Sequence, residues 1–160
     1  MATLPHRDEE NEWQWLGMVT AAVGGPKTFG GAIPRDRLEV HAALTKGLPN
    51  TAAVHLVEGL HQLPENDALN VIGFAARSWQ RHKGDTKGHL NTERSSRTWK
   101  FAEILTKATR VFGSQEEAER WLDQPATGLN RQRPIDLLKT QTGTELVEEF
   151  LERLEYGVYT

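Results

Sequence analysis

The chain has 160 residues, enough for one ordinary domain or two very small ones that share an interface. It contains no cysteine, which excludes disulfides, cysteine-ligated zinc and thiol catalysis, and its 38% hydrophobic content fills only a modest core. The formal charge of -3 conceals a division into net -4 over residues 1–70, +6 over 71–110 and -5 over 111–160.

From Met1 to Asn11 the chain is polar and acidic rather than signal-like, and nowhere do the ~18 consecutive apolar residues of a membrane helix occur. A cytoplasmic protein with no membrane contact is expected. Trp13, Trp15, Leu16 and Val19 open a short helix, after which Gly24, Gly25, Pro26, Gly30, Gly31 and Pro34 punctuate the chain. The cluster over 24–31 lacks the Gly-Lys-Ser/Thr ending of a phosphate-binding loop and has no strand before it. It reads as flexible, and residues 1–37 as an N-terminal arm with no assigned role.

From Leu38 the spacing turns helical. Leu38 and Ala42, with Leu44 and Leu48 as further apolar positions, lead to the break at Gly47 and Pro49. Ala53, Val54, Val57, Leu60 and Leu63 recur at three- and four-residue steps, an amphipathic helix that Pro64 stops. A short helix over 67–72, a tight break at Gly73 and Phe74, and a second short helix over 75–83 follow. Trp99, Ala102, Leu105, Ala108 and Phe112 stripe a longer helix that Gly113 ends. Ser114 and Glu117 form a capping box for a helix whose core face is Ala118, Trp121 and Leu122. Pro125 and Gly128 break it, and Pro134 suits the first position of another short helix. Thr142 to Glu145 reads as a second capping box before Leu146, Val147, Phe150, Leu151 and Leu154. Gly157 is placed to close this last helix in the left-handed conformation. No alternating strand pattern occurs. The expected fold is all-α, with a helix-turn-helix region over 38–98 and a small C-terminal helical domain over 99–160.

Residues 65–83 have the layout of a helix-turn-helix, whose second helix carries Arg77, Ser78, Trp79, Gln80, Arg81, His82 and Lys83. A recognition helix needs small or polar side chains at its start and cations along one face. Arginine then donates two bonds to guanine while lysine and serine hold phosphates. Arg77 and Arg81, four apart, share a face, whereas Trp79 points to the core. Arg77, Ser78, Gln80, Arg81 and Lys83 are therefore the candidate DNA contacts. The +6 segment agrees with a polyanion partner. A solvated hairpin whose cations pair with acidic helices leaves the same signature.

Signs of catalysis are few. His6, His41, His55, His61, His82 and His89 lack helical metal-ligand spacing, since His55 and His61 are six apart rather than four. Neither a Gly-x-Ser-x-Gly elbow nor a metalloprotease helix occurs. Carboxylates of the C-terminal half fall mostly on faces expected to be exposed. No enzyme activity, cofactor or metal is expected.

The specific signal lies toward the end. Val111, Phe112 and Gly113 precede Glu119, Arg120, Trp121 and Leu122, then Pro125 and Leu129. The run Arg133, Pro134, Ile135, Asp136, Leu137, Leu138 follows. After Gly143, Val147 and Leu151 comes the ending Arg153, Leu154, Glu155, Tyr156, Gly157, Val158, Tyr159. This succession resembles the C-terminal toxin-binding domain of the Xre/MbcA/ParS antitoxin family. Upstream, Gly47, Leu48 and Pro49 resemble that family's approach to its N-terminal helices, and Ala76 to Arg81 its arginine-rich second helix. Leu90, Glu93, Ser95 and Arg97 resemble its linker, so the resemblance covers roughly residues 38–160.

The resemblance implies a type II antitoxin that neutralises a cognate toxin by occluding its active site and represses its own operon through the helix-turn-helix. Its usual partners are RES-domain toxins, which consume NAD+, or related ADP-ribosylating toxins. A homodimer, and a higher hetero-oligomer with toxin, are expected. The chain departs from the family at the turn, where relatives carry a small or β-branched residue and this sequence has Gly73, Phe74, Ala75 and Ala76.

Beyond Gly157, Val158, Tyr159 and Thr160 have no helix of their own to pack on, and tyrosine combines an apolar face with a polar tip. An acidic domain also complements a basic pocket built for an anionic dinucleotide. The candidate toxin contacts are Leu129, Arg133, Glu155, Tyr156, Gly157, Val158, Tyr159 and Thr160, of which Leu129 and Arg133 suit shaping the fold more than contact. The alternative for the tyrosines is packing on their own bundle. For the whole chain it is a helix-turn-helix regulator whose C-terminal bundle only dimerises.

Overall fold

The structure, a computed structural model, describes the backbone of residues 7–157 and the side chains of residues 11–157. Its described residues are helical, with two isolated bridges (Pro49 with His89, Ala126 with Gln132) in place of strands. In chain order the helices are α1 (Arg7–Ala22), α2 (Arg37–Lys46), α3 (Asn50–Glu58), α4 (Glu65–Ile72), α5 (Ala76–Gly84), α6 (Thr92–Phe112), α7 (Gln115–Asp123), α8 (Pro134–Leu137) and α9 (Gln141–Glu155). Short 3-10 turns cover Pro26–Phe29 and Thr127–Leu129. The fold is all-α, as the periodicity predicts.

Helix α6 is the organising element. Asn91 caps it by accepting from the Arg94 amide at 2.8 Å, so it begins seven residues before the Trp99 stripe starts. Thr98, Thr106 and Thr109 satisfy their hydroxyls on carbonyls one turn back, each at 2.7 Å, which lets polar residues occupy a long helix. Helices α1, α2, α3, α4, α7 and α9 all pack on it. The boundary expected at residue 98 therefore falls inside one continuous helix, and the two parts share its core, including Trp99, Phe101, Ile104 and Leu105. Three ion pairs in rising register show that α6 and α9 run in the same direction: Lys100 to Glu148 (3.2 Å), Lys107 to Glu152 (3.1 Å) and Arg110 to Glu155 (2.7 Å).

Several expectations are corrected. The glycine-rich stretch after α1 is a packed turn, not a flexible arm: the buried Thr28 hydroxyl donates to the Val23 carbonyl at 2.8 Å, and Phe29 meets Trp99 edge-on at 5.5 Å. Helix α1 buries Leu16 and Val19 in the common core. Leu38 is 75% exposed, and Val40 is the buried residue of α2. Thr140, not Thr142, caps α9 by accepting from the Gly143 amide at 2.9 Å. This earlier start puts Gly143 in the first turn of α9, where a Cβ would lie 2.0 Å from the Leu137 carbonyl oxygen. Ser114 caps α7 as expected, but Glu117 pairs with Arg120 rather than reaching back. Trp121 is only half-buried, tilted against Phe112 at 5.2 Å and stacked on Phe150 at 5.7 Å. Pro134 opens α8, and Gly113 and Gly157 follow α6 and α9 in the left-handed region, as predicted.

Candidate functional site

Two surfaces and the contacts between them make up the site. The first is the outer face of α5. Gly73 ends α4 at φ 96°, and its amide and that of Phe74 return to the Leu69 carbonyl at 2.8 and 2.9 Å. A residue with a Cβ adopts this turn only under strain. Phe74, where the sequence departs from the family's pattern, points inward. It packs on Trp79 and His82, and the Arg94 guanidinium lies 4.2 Å over its ring. The exposed start of α5 is thus left to Ala75 and Ala76, small side chains that let a helix approach another surface closely.

Trp79 is 1% exposed and donates its indole N–H to Glu65 at 2.9 Å, which anchors α5 to the first turn of α4. Arg77, Gln80, Arg81 and Lys83 are exposed, and Ser78 is half-buried. Lys83 pairs with Glu58 at 3.3 Å, whereas Arg77 and Arg81 make no ion pair among the described residues. Four of the five candidate DNA contacts thus lie open to solvent on one short helix.

The second surface is the end of α9. Tyr156 is 77% exposed, among the most exposed large hydrophobic side chains described. Gly157, at φ 68°, turns the chain out of the helix, its amide returning to the Leu154 carbonyl at 3.3 Å. Glu155 is held by Arg110, whose guanidinium also covers the Trp15 ring at 5.0 Å. Leu129 is half-buried on the core, in the 3-10 turn that packs on α9. Val158, Tyr159 and Thr160 lie outside the described residues.

Arg133 is set apart from this end. Its five N–H donors make five bonds to three carboxylates: Asp67 (3.2 and 3.3 Å), Asp123 (2.7 Å) and Asp136 (two at 3.0 Å). Hydrogen bonds donated to Asp136 and then to Asp67 raise the guanidinium pKa against the effect of burial. In return the Arg133 bond holds Asp136 below its ordinary value. Such planar fork-to-fork pairing fixes orientation as well as charge. With all donors engaged within the chain, Arg133 shapes the fold.

Glu119 departs from the expectation that carboxylates of the C-terminal half fall mostly on exposed faces. It is 0% exposed. One carboxylate oxygen accepts from the consecutive amides of His61 (2.8 Å), Gln62 (2.8 Å) and Leu63 (3.0 Å), and the other from the Gln115 side chain (2.9 Å). Gln115 also donates to the Gly59 carbonyl at 2.8 Å. A buried donor left without a partner costs about 1–3 kcal/mol, so α7 and the loop before α4 are strongly bound to each other. The only sequence signal was a glutamate on the helix face next to Ala118 and Leu122, and such a residue is normally assigned to solvent.

Residues 107–157 match the antitoxin Xre/MbcA/ParS C-terminal toxin-binding domain. The chain is 30% identical over 112 residues to the antitoxin Xre of Yersinia enterocolitica, an alignment spanning 68% of this chain and 75% of that one. The chain belongs to the Xre/MbcA/ParS antitoxin family. It is also 31% identical over 120 residues to the antitoxin Xre of Pseudomonas putida, spanning 74% of this chain and 72% of that one. With a Prs ADP-ribosylating antitoxin of a Sphingobium species it shares 28% identity over 139 residues, 80% and 83% of the two chains. Membership implies a toxin as partner. The matched toxin-binding domain begins inside α6 and takes in α7, α8 and α9, so Tyr156, Glu155 and the clamps of Glu119 and Arg133 all belong to it.

Proposed function

We propose that this antitoxin neutralises a RES-type, NAD+-consuming toxin or an ADP-ribosylating one by seating the end of α9 in its active site, and represses its own operon through α4 and α5. The observation that carries the first part is Tyr156, a large side chain 77% exposed at the end of the matched toxin-binding domain. An aromatic residue kept in water on a braced helix end suits docking on a partner, because burial on association recovers the apolar area that folding left exposed. The acidic balance of residues 111–160, net -5, complements a basic dinucleotide pocket and favours fast encounter. The ADP-ribosylating relative supports that toxin class. Open cations on α5, above a buried Trp79, support the DNA role.

The test is co-expression with the protein encoded by the neighbouring gene. The full chain is expected to co-purify with it and silence it at equimolar ratio, and a chain truncated after Glu155, which lacks Tyr156 and the residues beyond it, to lose that ability. Full neutralisation by the truncated chain sinks the plug. A lone homodimer that binds operator DNA and leaves the neighbour active favours a regulator whose C-terminal bundle only dimerises.

A further inference from the structure

We infer that the toxin-binding domain holds the helix-turn-helix in its reading geometry through Glu119 and Arg133, making both positioning residues for operator recognition although neither lies on α5. The inference rests on the DNA role proposed above for α5.

Helix α4 is short, eight residues, and is gripped at and just before its start by side chains more than fifty residues away in sequence. Glu119 fixes the amides of 61–63, immediately before Pro64 and the first turn of α4. Arg133 grips Asp67, in that first turn, with two parallel bonds. In the same turn Glu65 receives the indole N–H of Trp79, and at the far end Leu69 receives the amides of the Gly73–Phe74 turn. The line of contacts thus runs from α7 and α8, through α4, to both ends of the segment that aims Arg77 and Arg81.

Apolar packing is non-directional and lets a short helix slide or roll at little cost. Three consecutive amides on one oxygen, with a bidentate guanidinium a turn away, leave no such freedom. Burying a carboxylate at 0% exposure is costly even with four hydrogen bonds to it, and a hydrophobic residue there would leave three backbone donors unpaired. The arrangement makes sense if the orientation of α4 is what it secures.

The experiment uses the purified full chain, the DNA duplex immediately upstream of its own coding sequence, and the toxin encoded beside it. Asp67→Asn preserves volume and leaves Arg133 its bonds to Asp123 and Asp136. It is expected to lower affinity for the duplex at least about fivefold while toxin neutralisation at equimolar ratio stays unchanged. The indole N–H resonance of Trp79, which reports the α4–α5 contact, is expected to shift. Glu119→Ala is expected to lose more affinity, and Glu119→Gln, which keeps an oxygen for the three amides, to recover part of it. The Arg77→Ala, Arg81→Ala double variant is expected to lose duplex binding with the Trp79 resonance unmoved.

If that double variant loses DNA while Asp67→Asn and Glu119→Ala bind as the native chain does, the clamps do not position α5 and the inference falls while the DNA role stands. If duplex and toxin binding fall together with the melting temperature, the two residues are general stability elements and the inference is overturned. A native chain that binds the duplex no better than the double variant removes the DNA role, and the inference with it.

Discussion

The guanidinium of Arg110 lies 5.0 Å from the centre of the Trp15 ring, and the same side chain holds Glu155 at 2.7 Å. One residue of α6 thus ties the first helix of the chain to the end of the last, beside Tyr156. This gives α1 a place beside the end of α9, which no spacing in its own sequence suggests. An exposed ion pair contributes up to about 1 kcal/mol and an exposed cation–π contact a similar amount. Arg110→Ala is therefore expected to lower stability by about 1 kcal/mol and to accelerate dissociation of the toxin several-fold by loosening the end of α9. Calorimetric unfolding and surface-binding kinetics check the two halves. An unchanged dissociation rate would mean that the α9 end is rigid without its brace.

Gly143→Ala reverses an ordinary rule. Within a helix, alanine is favoured over glycine by about 1 kcal/mol. Here the added methyl would meet the Leu137 carbonyl oxygen at 2.0 Å, a backbone atom that moves only if α8 and α9 separate. The substitution is expected to destabilise by about 1–3 kcal/mol, the usual cost of overpacking. Urea unfolding measures it, and a gain in stability would contradict the close approach of the two helices.

What the sequence revealed follows from how local each cause is. Pro134 and Gly157 announce helix ends through their own backbone chemistry, and both stand where that chemistry puts them. Trp79 and the exposed Arg77 and Arg81 were separable by helical spacing alone. The stretch over 24–31 reads as flexible from its glycines because what orders it, the edge of Trp99 against Phe29, comes from α6, about seventy residues downstream. Glu119 is opaque for the same reason, since its partners at 61–63 lie far from its own helix, whereas Arg133 reads as fold-shaping although its partner Asp67 is 66 residues away. Trp121 shows a subtler failure, since a helical stripe predicts which side faces inward but not whether a neighbouring aromatic completes the cover.

Gly73 offers a test of the turn. A Cβ there would come 2.9 Å from Arg97 Nη1, the end of a flexible side chain, so the contact is readily relieved. The backbone is the larger obstacle, because φ 96° costs an L-residue about 1–2 kcal/mol. Gly73→Ala is expected to lose about that much stability, and Gly73→Asn less, since asparagine tolerates the left-handed region better. Equal losses in the two variants, read from denaturant midpoints, would place the cost in the Arg97 contact instead.

Asp136 predicts the acid response. The hydrogen bond from Arg133, acting against burial, holds its carboxyl below the ordinary value, so the unfolded chain takes up the proton first as pH falls. The stability it contributes is present above the unfolded value of about 4 and is lost as pH drops through the lower folded value. Glu103 acts in the opposite sense: burial, only partly offset by Lys100, raises its pKa, so its contribution is lost as pH rises through that raised value. A native melting curve against pH mixes the two, and the comparison with Asp136→Asn separates them. The gap in melting temperature between native and variant is expected to be widest near neutrality and to close as the pH falls below about 4. A gap that stays constant across that range would mean that Arg133 supports residue 136 by geometry alone, with no contribution from its charge.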